Sequence, residues 1–301
     1  MKEACDKYQI VTDKLITLLE KGVKPWTKSW SSNGESIFKN LVTGHCYTGI
    51  NPIICMIDML GFGSNDPYFV GFSQAKELGW QLRKGSKATW LRWGGKFAVE
   101  DDDGKEKWAG AAKWLNVFHC SLFDDSEAKT KISDRIASYN TGDRSEVNPD
   151  ARIPEVENFI ALTGSVISYG GDRAFYTPTA DAIQMPDFKS FESAHAYYAT
   201  MIHELTHWTG HSSRCDRPLT GKFGSKDYAY EELIAEIGAA FRCNDFGIDS
   251  EMDSHASYIH SWLQNLRNDK KFFFKAAAEA RKANQFLKDL KVKQIPEAIA
   301  A

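Results

Sequence analysis

Apolar positions along this chain recur mostly at helical intervals, and one stretch shortens to the period of strands. Residues 7–21 carry Ile10, Val11, Leu15, Ile16, Leu18 and Leu19 at intervals that share one helical face, then stop at Lys21-Gly22. That pattern predicts an amphipathic helix with a C-terminal stop signal. After the aromatic, turn-rich VKPWTKSW, the stretch NLVTGHCYTGINPIICMIDMLGF predicts a turn leading into an apolar helix ended at Gly61. FSQAKELGW predicts a further short helix. In KATWLRWGGKFAVEDDDGKEKWAGAAKWLNVFHCSLFD the apolar period shortens and Gly and Asp punctuate it, which predicts strands joined at the acidic DDDG turn.

Residues 124–150, DDSEAKTKISDRIASYNTGDRSEVNPD, are polar and rich in turn formers, with a short helical pattern around Ile132–Ile136. They read as a linker. Beyond it, PEVENFIALTGSVISYG predicts a helix and then a strand, and RAFYTPTADAIQMP two short strands about a turn. FESAHAYYATMIHELTHWTG and DYAYEELIAEIGAAFRCNDFG each predict one continuous helix, and 252–291 two more. The chain therefore reads as an α+β protein of two domains, 1–125 and 151–301, joined by a linker at 126–150.

Composition narrows the function classes. The 301 residues are 43% hydrophobic and 26% charged with a formal net charge of −3, an ordinary globular balance. Such a chain is no general polyanion binder, so any nucleic-acid site is a local patch. No stretch approaches the roughly 18 apolar residues that span a membrane, and the N-terminus reads as an amphipathic helix, not a signal peptide. The cysteines Cys5, Cys46, Cys55, Cys120, Cys215 and Cys243 are scattered without a CxxC pair. They read as reduced thiols of a cytoplasmic protein.

The candidate chemistry lies in MIHELTHWTGH, residues 201–211. On a helix His203 and His207 face the same side one turn apart, so both imidazoles reach one tetrahedral metal. Glu204, turned by about 100°, reaches the metal's water as a general base. Two ordinary histidines on an amphipathic helix are the alternative. A catalytic zinc needs a third protein ligand and an open position, and YEELIAEIGAAF supplies Glu232 as that ligand, with Glu231 as the neighbouring register. Glu236, one turn on, is placed to orient a histidine, and the small Ala235, Ala239 and Ala240 allow close helix packing. His211 is a rival ligand but follows Gly210 directly, and reads better as lining the cleft or supporting the ligands from behind. The expected cofactor is one Zn2+ per chain, activating water against a carbonyl. RAFYTPTADAIQMP either offers an edge strand to an extended peptide or merely flanks the core.

The first half holds seven of the nine tryptophans: Trp26, Trp30, Trp80, Trp90, Trp93, Trp108 and Trp114. Up to residue 97, Lys and Arg outnumber Asp and Glu 13 to 8. Aromatics beside cations suit a sequence-tolerant single-strand binder; a small aromatic core with a basic rim is the other reading.

The opening helix with GVKPWTKSW, then NLVTGHCYTGIN and FSQAKELGWQLRKGSKAT, resembles the N-terminal domain of ArdC-type antirestriction proteins, which also occurs in some plasmid conjugation primases. FYTPTADAIQMPDF, HELTHWTGH, YEELIAEIGAAF and YIHSWLQNLRNDKKFFFKAAAEARKA resemble the zincin-like domain that completes that family. The resemblance covers nearly the whole chain and implies a cytoplasmic protein of a mobile element that shields incoming plasmid DNA from restriction. It implies a single-stranded-DNA-binding domain with Trp26, Trp30, Tyr47, Asn51, Arg83, Lys84 and Lys87 as nucleic-acid candidates, although Asn51, before Pro52, also suits a helix cap. It further implies a metallopeptidase-like domain in which His203, His207 and Glu232 hold the metal and Glu204 is the base. A DNA-coating protein with a structural metal and a DNA-recruited regulatory protease remain alternatives, and any protein or peptide substrate is open.

Overall fold

The computed structural model describes residues 6–27, 31–32, 35–36, 38–64, 66–100, 106–123, 132–134, 151–222, 225–250 and 256–293. Along the chain run α1 (Lys7–Glu20), β1 (Ser31–Ser32), β2 (Glu35–Ser36), β3 (Lys39–Asn40), α2 (Asn51–Phe62), β4 (Tyr68–Gly71), α3 (Phe72–Glu77), β5 (Thr89–Glu100) and β6 (Glu106–His119). Then come α4 (Pro154–Thr163), β7 (Val166–Tyr169), β8 (Phe175–Thr177), β9 (Ala182–Met185), α5 (Ala194–Thr209), α6 (Lys226–Phe246), α7 (Ala256–Asn268) and α8 (Phe272–Lys293). The architecture is α+β, as the periodicity predicts.

The described residues fall into two compact units whose limits differ from 1–125 and 151–301. Met1–Val11 with Ile37–Asp143 form one, and Thr12–Ser36 with Arg144–Ala301 the other. Helix α1 thus gives residues to both. The physical reason is the aromatic segment after it. Trp26 is 1% exposed, packs edge-on against Trp262 at 5.8 Å between ring centroids and stacks on Phe273 at 6.2 Å. An indole of that area stabilises the core that covers it, whatever its position in sequence. The expected linker also begins inside a unit, because Ile132 is buried in the first unit's core. Most of 126–150 and the DDDG turn lie outside the described residues.

In the first unit a four-stranded sheet has the order β3-β4-β6-β5. β3 and β4 are parallel, and β6 is antiparallel to β4 and β5. The hairpin pairs Thr89 with Val117 through to Glu100 with Glu106, as the short apolar period requires. Helix α2 begins with Pro52 at its first turn and buries every residue from Pro52 to Met59. It runs past Gly61 and stops at Gly63, whose φ of 64° and N–H bond to the Leu60 carbonyl make a left-handed cap. Gly61 keeps a helical backbone, so the stop moves to the glycine that leaves it.

In the second unit β9 is the middle strand of a sheet ordered β7-β9-β8, parallel to β7 and antiparallel to β8. Its buried Ile183 and Met185 join Val156, Tyr197, Tyr198, Leu205 and Leu287 in one core. Ser193 caps α5 by accepting from the Ala196 N–H, and Ser225 caps α6 by accepting from Tyr228. The two helices approach closely at Gly238, where an added Cβ would stand 2.5 Å from Thr206 Cγ2. Buried Ala235, Ala239 and Ala240 widen that small-residue face, as expected. No helix among the described residues is long and apolar enough to cross a membrane.

Candidate metal centre

His203 and His207 project from α5 one turn apart, and α6 brings Glu232 against them. His203 Nε2 and His207 Nε2 are 3.1 Å apart. Glu232 Oε2 lies 3.5 Å from His203 Nε2, and Glu232 Oε1 lies 3.5 Å from His207 Nε2. A tetrahedral zinc with bonds of about 2.0–2.1 Å holds its ligand atoms about 3.3 Å apart. An octahedral ion of similar bond length needs about 3 Å between neighbours. The triangle therefore fits a divalent cation, and its edges do not discriminate between the two geometries. Among the described residues these three are the group able to hold a metal.

Electrostatics favour the same conclusion. His207 Nδ1 meets Glu231 Oε1 at 3.1 Å, so the ring's proton belongs on Nδ1 and its Nε2 lone pair faces the Glu232 carboxylate. A lone pair facing a carboxylate repels it unless a proton or cation lies between. Burial disfavours the charged ring, but the Glu231 and Glu232 carboxylates outweigh it and push His207 up to about 10. Burial likewise works against ionised Glu232, yet the two imidazoles hold it below the ordinary carboxylate range.

Glu204 is 7% exposed and lines the same cleft as Tyr176 of β8. Its burial raises its pKa against the pull of the two histidines. All four residues line one cleft of about 620 Å³, walled by Phe175, Pro218, Leu219, Tyr228 and Tyr258. Strand β8, the edge of its sheet, borders this cleft through Phe175 and Tyr176.

Two supporting residues differ from expectation. Among the described residues Glu236 meets no histidine: its carboxylate accepts from the Trp26 indole at 3.1 Å and pairs with Lys24 at 3.3 Å. Glu231 meets the histidine instead, because Glu236 lies on the next turn of α6 beside the buried Trp26. Arg217, absent from the sequence-based candidates, holds Glu231 with two hydrogen bonds. Nothing in periodicity could reveal it, since it lies in the irregular stretch between α5 and α6. His211 lies beyond the end of α5 and bonds Ser213 Oγ at 2.8 Å, neither in the donor triangle nor lining the cleft.

The nucleic-acid candidates scatter. Trp26 is buried in the second unit and Tyr47 is 8% exposed, so neither presents a ring face to a base. The Asn51 amide bonds the Arg92 backbone through both its oxygen and its nitrogen, at 2.7 and 2.9 Å. It pins α2 to β5 in the manner of a strand partner. Arg83, Lys84 and Lys87 are exposed together on the turn before β5, and Trp30 lies outside the described residues. Trp93, 43% exposed on β5, stands opposite exposed Lys113 in the hairpin register.

Residues 5–131 match the family model for the N-terminal domain of the anti-restriction factor ArdC, and 154–279 that for a zincin-like metallopeptidase. The crystal structure of the antirestriction protein ArdC from plasmid R388 superposes with a TM-score of 0.73 at 36% identity, covering 96% of this chain and 99% of that one. The chain belongs to the ArdC antirestriction family. A Mn(II)-bound structure of the R388 ArdC protein matches equally well. The uncharacterized protein y4eC of Sinorhizobium fredii is 32% identical over 92% of this chain and 89% of its own. A DNA primase TraC of Escherichia coli is 35% identical over 96% of this chain, which spans 28% of that primase's length. This ArdC-family chain thus pairs an ArdC N-terminal region with a zincin-like domain, and its donor triangle lies in the latter.

Proposed function

We propose that this protein binds single-stranded DNA through its first unit and holds one zinc ion in its second, where Glu204 serves peptide-bond hydrolysis. The observation that carries the enzymatic half is three converging donors beside a buried glutamate in an open cleft. Structural zinc sites close their shell with four protein ligands, whereas catalytic ones keep a position free. A bound divalent cation supplies a Lewis acid that polarises a carbonyl and acidifies water. His203, His207 and Glu232 hold it, and Glu231 keeps the His207 proton on Nδ1. The Glu204 carboxylate, in the same cleft, takes the proton of the attacking water. Apolar Phe175, Pro218 and Leu219 exclude bulk water from a bound chain, and β8 offers an edge against which an extended peptide can pair.

For the DNA, support comes from the exposed cations Arg83, Lys84 and Lys87 and from Trp93 beside Lys113. Each stacked base contributes on the order of 1–3 kcal/mol, and phosphates are met by lysine and arginine without regard to sequence.

The test is binding of the purified full chain to single-stranded DNA across a salt series, with bound metal quantified on the same sample. The logarithm of the association constant should fall linearly with log salt, by a slope of about 0.7 per phosphate neutralised, at one zinc per chain. Zinc without DNA binding would overturn the DNA half, and DNA binding without metal the enzymatic half.

A further inference from the structure

We infer that Arg217 is a positioning residue of the metal centre, acting through Glu231 on His207. This rests on the proposal that the three donors bind a divalent cation, and it adds a residue ten positions beyond His207 to what determines affinity.

The geometry is a relay. Arg217 is 7% exposed and presents two nitrogens to the two oxygens of one carboxylate: Nε to Glu231 Oε2 at 3.0 Å and one terminal nitrogen to Glu231 Oε1 at 2.7 Å. The same terminal nitrogen donates to the Thr206 carbonyl at 2.7 Å, and the other donates to Thr209 Oγ1 at 2.9 Å. Thr206 and Thr209 belong to the last turn of α5, the turn that carries His207. One guanidinium therefore ties the histidine's own backbone turn to the carboxylate that the histidine faces. Glu231 Oε1 then accepts a hydrogen bond from the His207 Nδ1–H at 3.1 Å, which leaves Nε2 as a lone pair aimed at Glu232 and His203.

Each link has a reason. A buried carboxylate needs a partner to stay ionised and in place, and guanidinium is charged at every accessible pH with a rigid fork matched to two oxygens. An ionised partner on Nδ1 fixes the tautomer and ring orientation and makes Nε2 a better ligand. His203 has no such support, since its Nδ1 is buried without a hydrogen-bond partner among the described residues. The orientation of the histidine pair thus falls on His207 and on the arginine behind it.

The experiment is a double-mutant cycle on the full chain: Arg217→Gln, Glu231→Gln and both together, with Arg217→Lys beside them. Zn2+ dissociation constants are read by competition with a chromophoric chelator, and the thermal midpoint of each metal-free variant is read separately. Removing a supporting partner of a metal ligand weakens affinity by about 10–100-fold, and each single change is expected to do so. In the double variant zinc affinity should be no worse than in the weaker single one, because Arg217 acts through Glu231. Arg217→Lys, charged but without the fork, should recover only part of the loss. If Arg217→Gln does not fold, Arg217→Lys and Glu231→Gln carry the test. Additive losses, or variants that bind zinc within twofold of the unaltered protein, overturn the relay. An unaltered protein that binds no zinc overturns the metal proposal beneath it instead.

Discussion

The Trp26 indole N–H donates to Glu236 Oε2 at 3.1 Å, one helical turn from the Glu232 carboxylate of the donor triangle. Trp26 lies in the region that matches the ArdC N-terminal family model, yet its ring packs on Trp262 and Phe273. Its hydrogen bond also helps satisfy a carboxylate that is 5% exposed. Trp26→Ala should therefore destabilise the second unit by about 3–5 kcal/mol, the usual cost of truncating a buried tryptophan. Thermal unfolding checks it. A fragment starting at residue 151 should show the same weakness, relieved when 12–36 is restored.

Gly238 faces Thr206 across the two site helices with no room for a methyl group. Gly238→Ala should force the helices apart at a cost of about 1–3 kcal/mol, and loosen zinc binding because the ligands come from both. Removing the obstructing methyl with Thr206→Ser should restore much of the loss. Unchanged melting and affinity in Gly238→Ala would show that the helices yield without strain.

Glu204 is no member of the donor triangle, so Glu204→Gln should retain the metal of the unaltered protein while abolishing hydrolysis of any susceptible peptide. Metal analysis and a proteolysis assay on one preparation separate the two effects. Hydrolysis at the unaltered rate would exclude Glu204 as the base.

His119 is fully buried in the first unit, with Nε2 at 2.7 Å from the Asp66 carbonyl and Nδ1 at 2.7 Å from Ser121 Oγ. Burial lowers its pKa below the ordinary 6.5, although the Asp66 carbonyl and the Asp66 and Asp58 charges pull the other way. On acidification the unfolded chain takes up a proton at a pH where the folded chain still refuses it. Stability is thus intact above about pH 6.5 and declines as pH falls below that value. Unfolding followed from pH 7.5 to 5 should show this slope, flattened in His119→Gln. An identical slope in the variant would assign the pH dependence to other groups.

The sequence by itself determined most of the elements and the three donors that the fold brings together. Spacing of three and four placed α1, α5 and α6, the short period placed the β5–β6 hairpin, and HELTH with a glutamate 25 residues after His207 named the donor set that the fold converges. These features are local, or repeat along one helix face, so they are legible without knowing what packs where. Tertiary structure alone decided which neighbouring glutamate meets His207, because Glu231 and Glu236 differ only in what lies opposite each on α6. It alone revealed Arg217, whose role depends on a turn between helices with no periodicity. It also moved Trp26 from candidate base-stacking surface into a core, since burial is a property of the covering side chains and not of the aromatic residue itself.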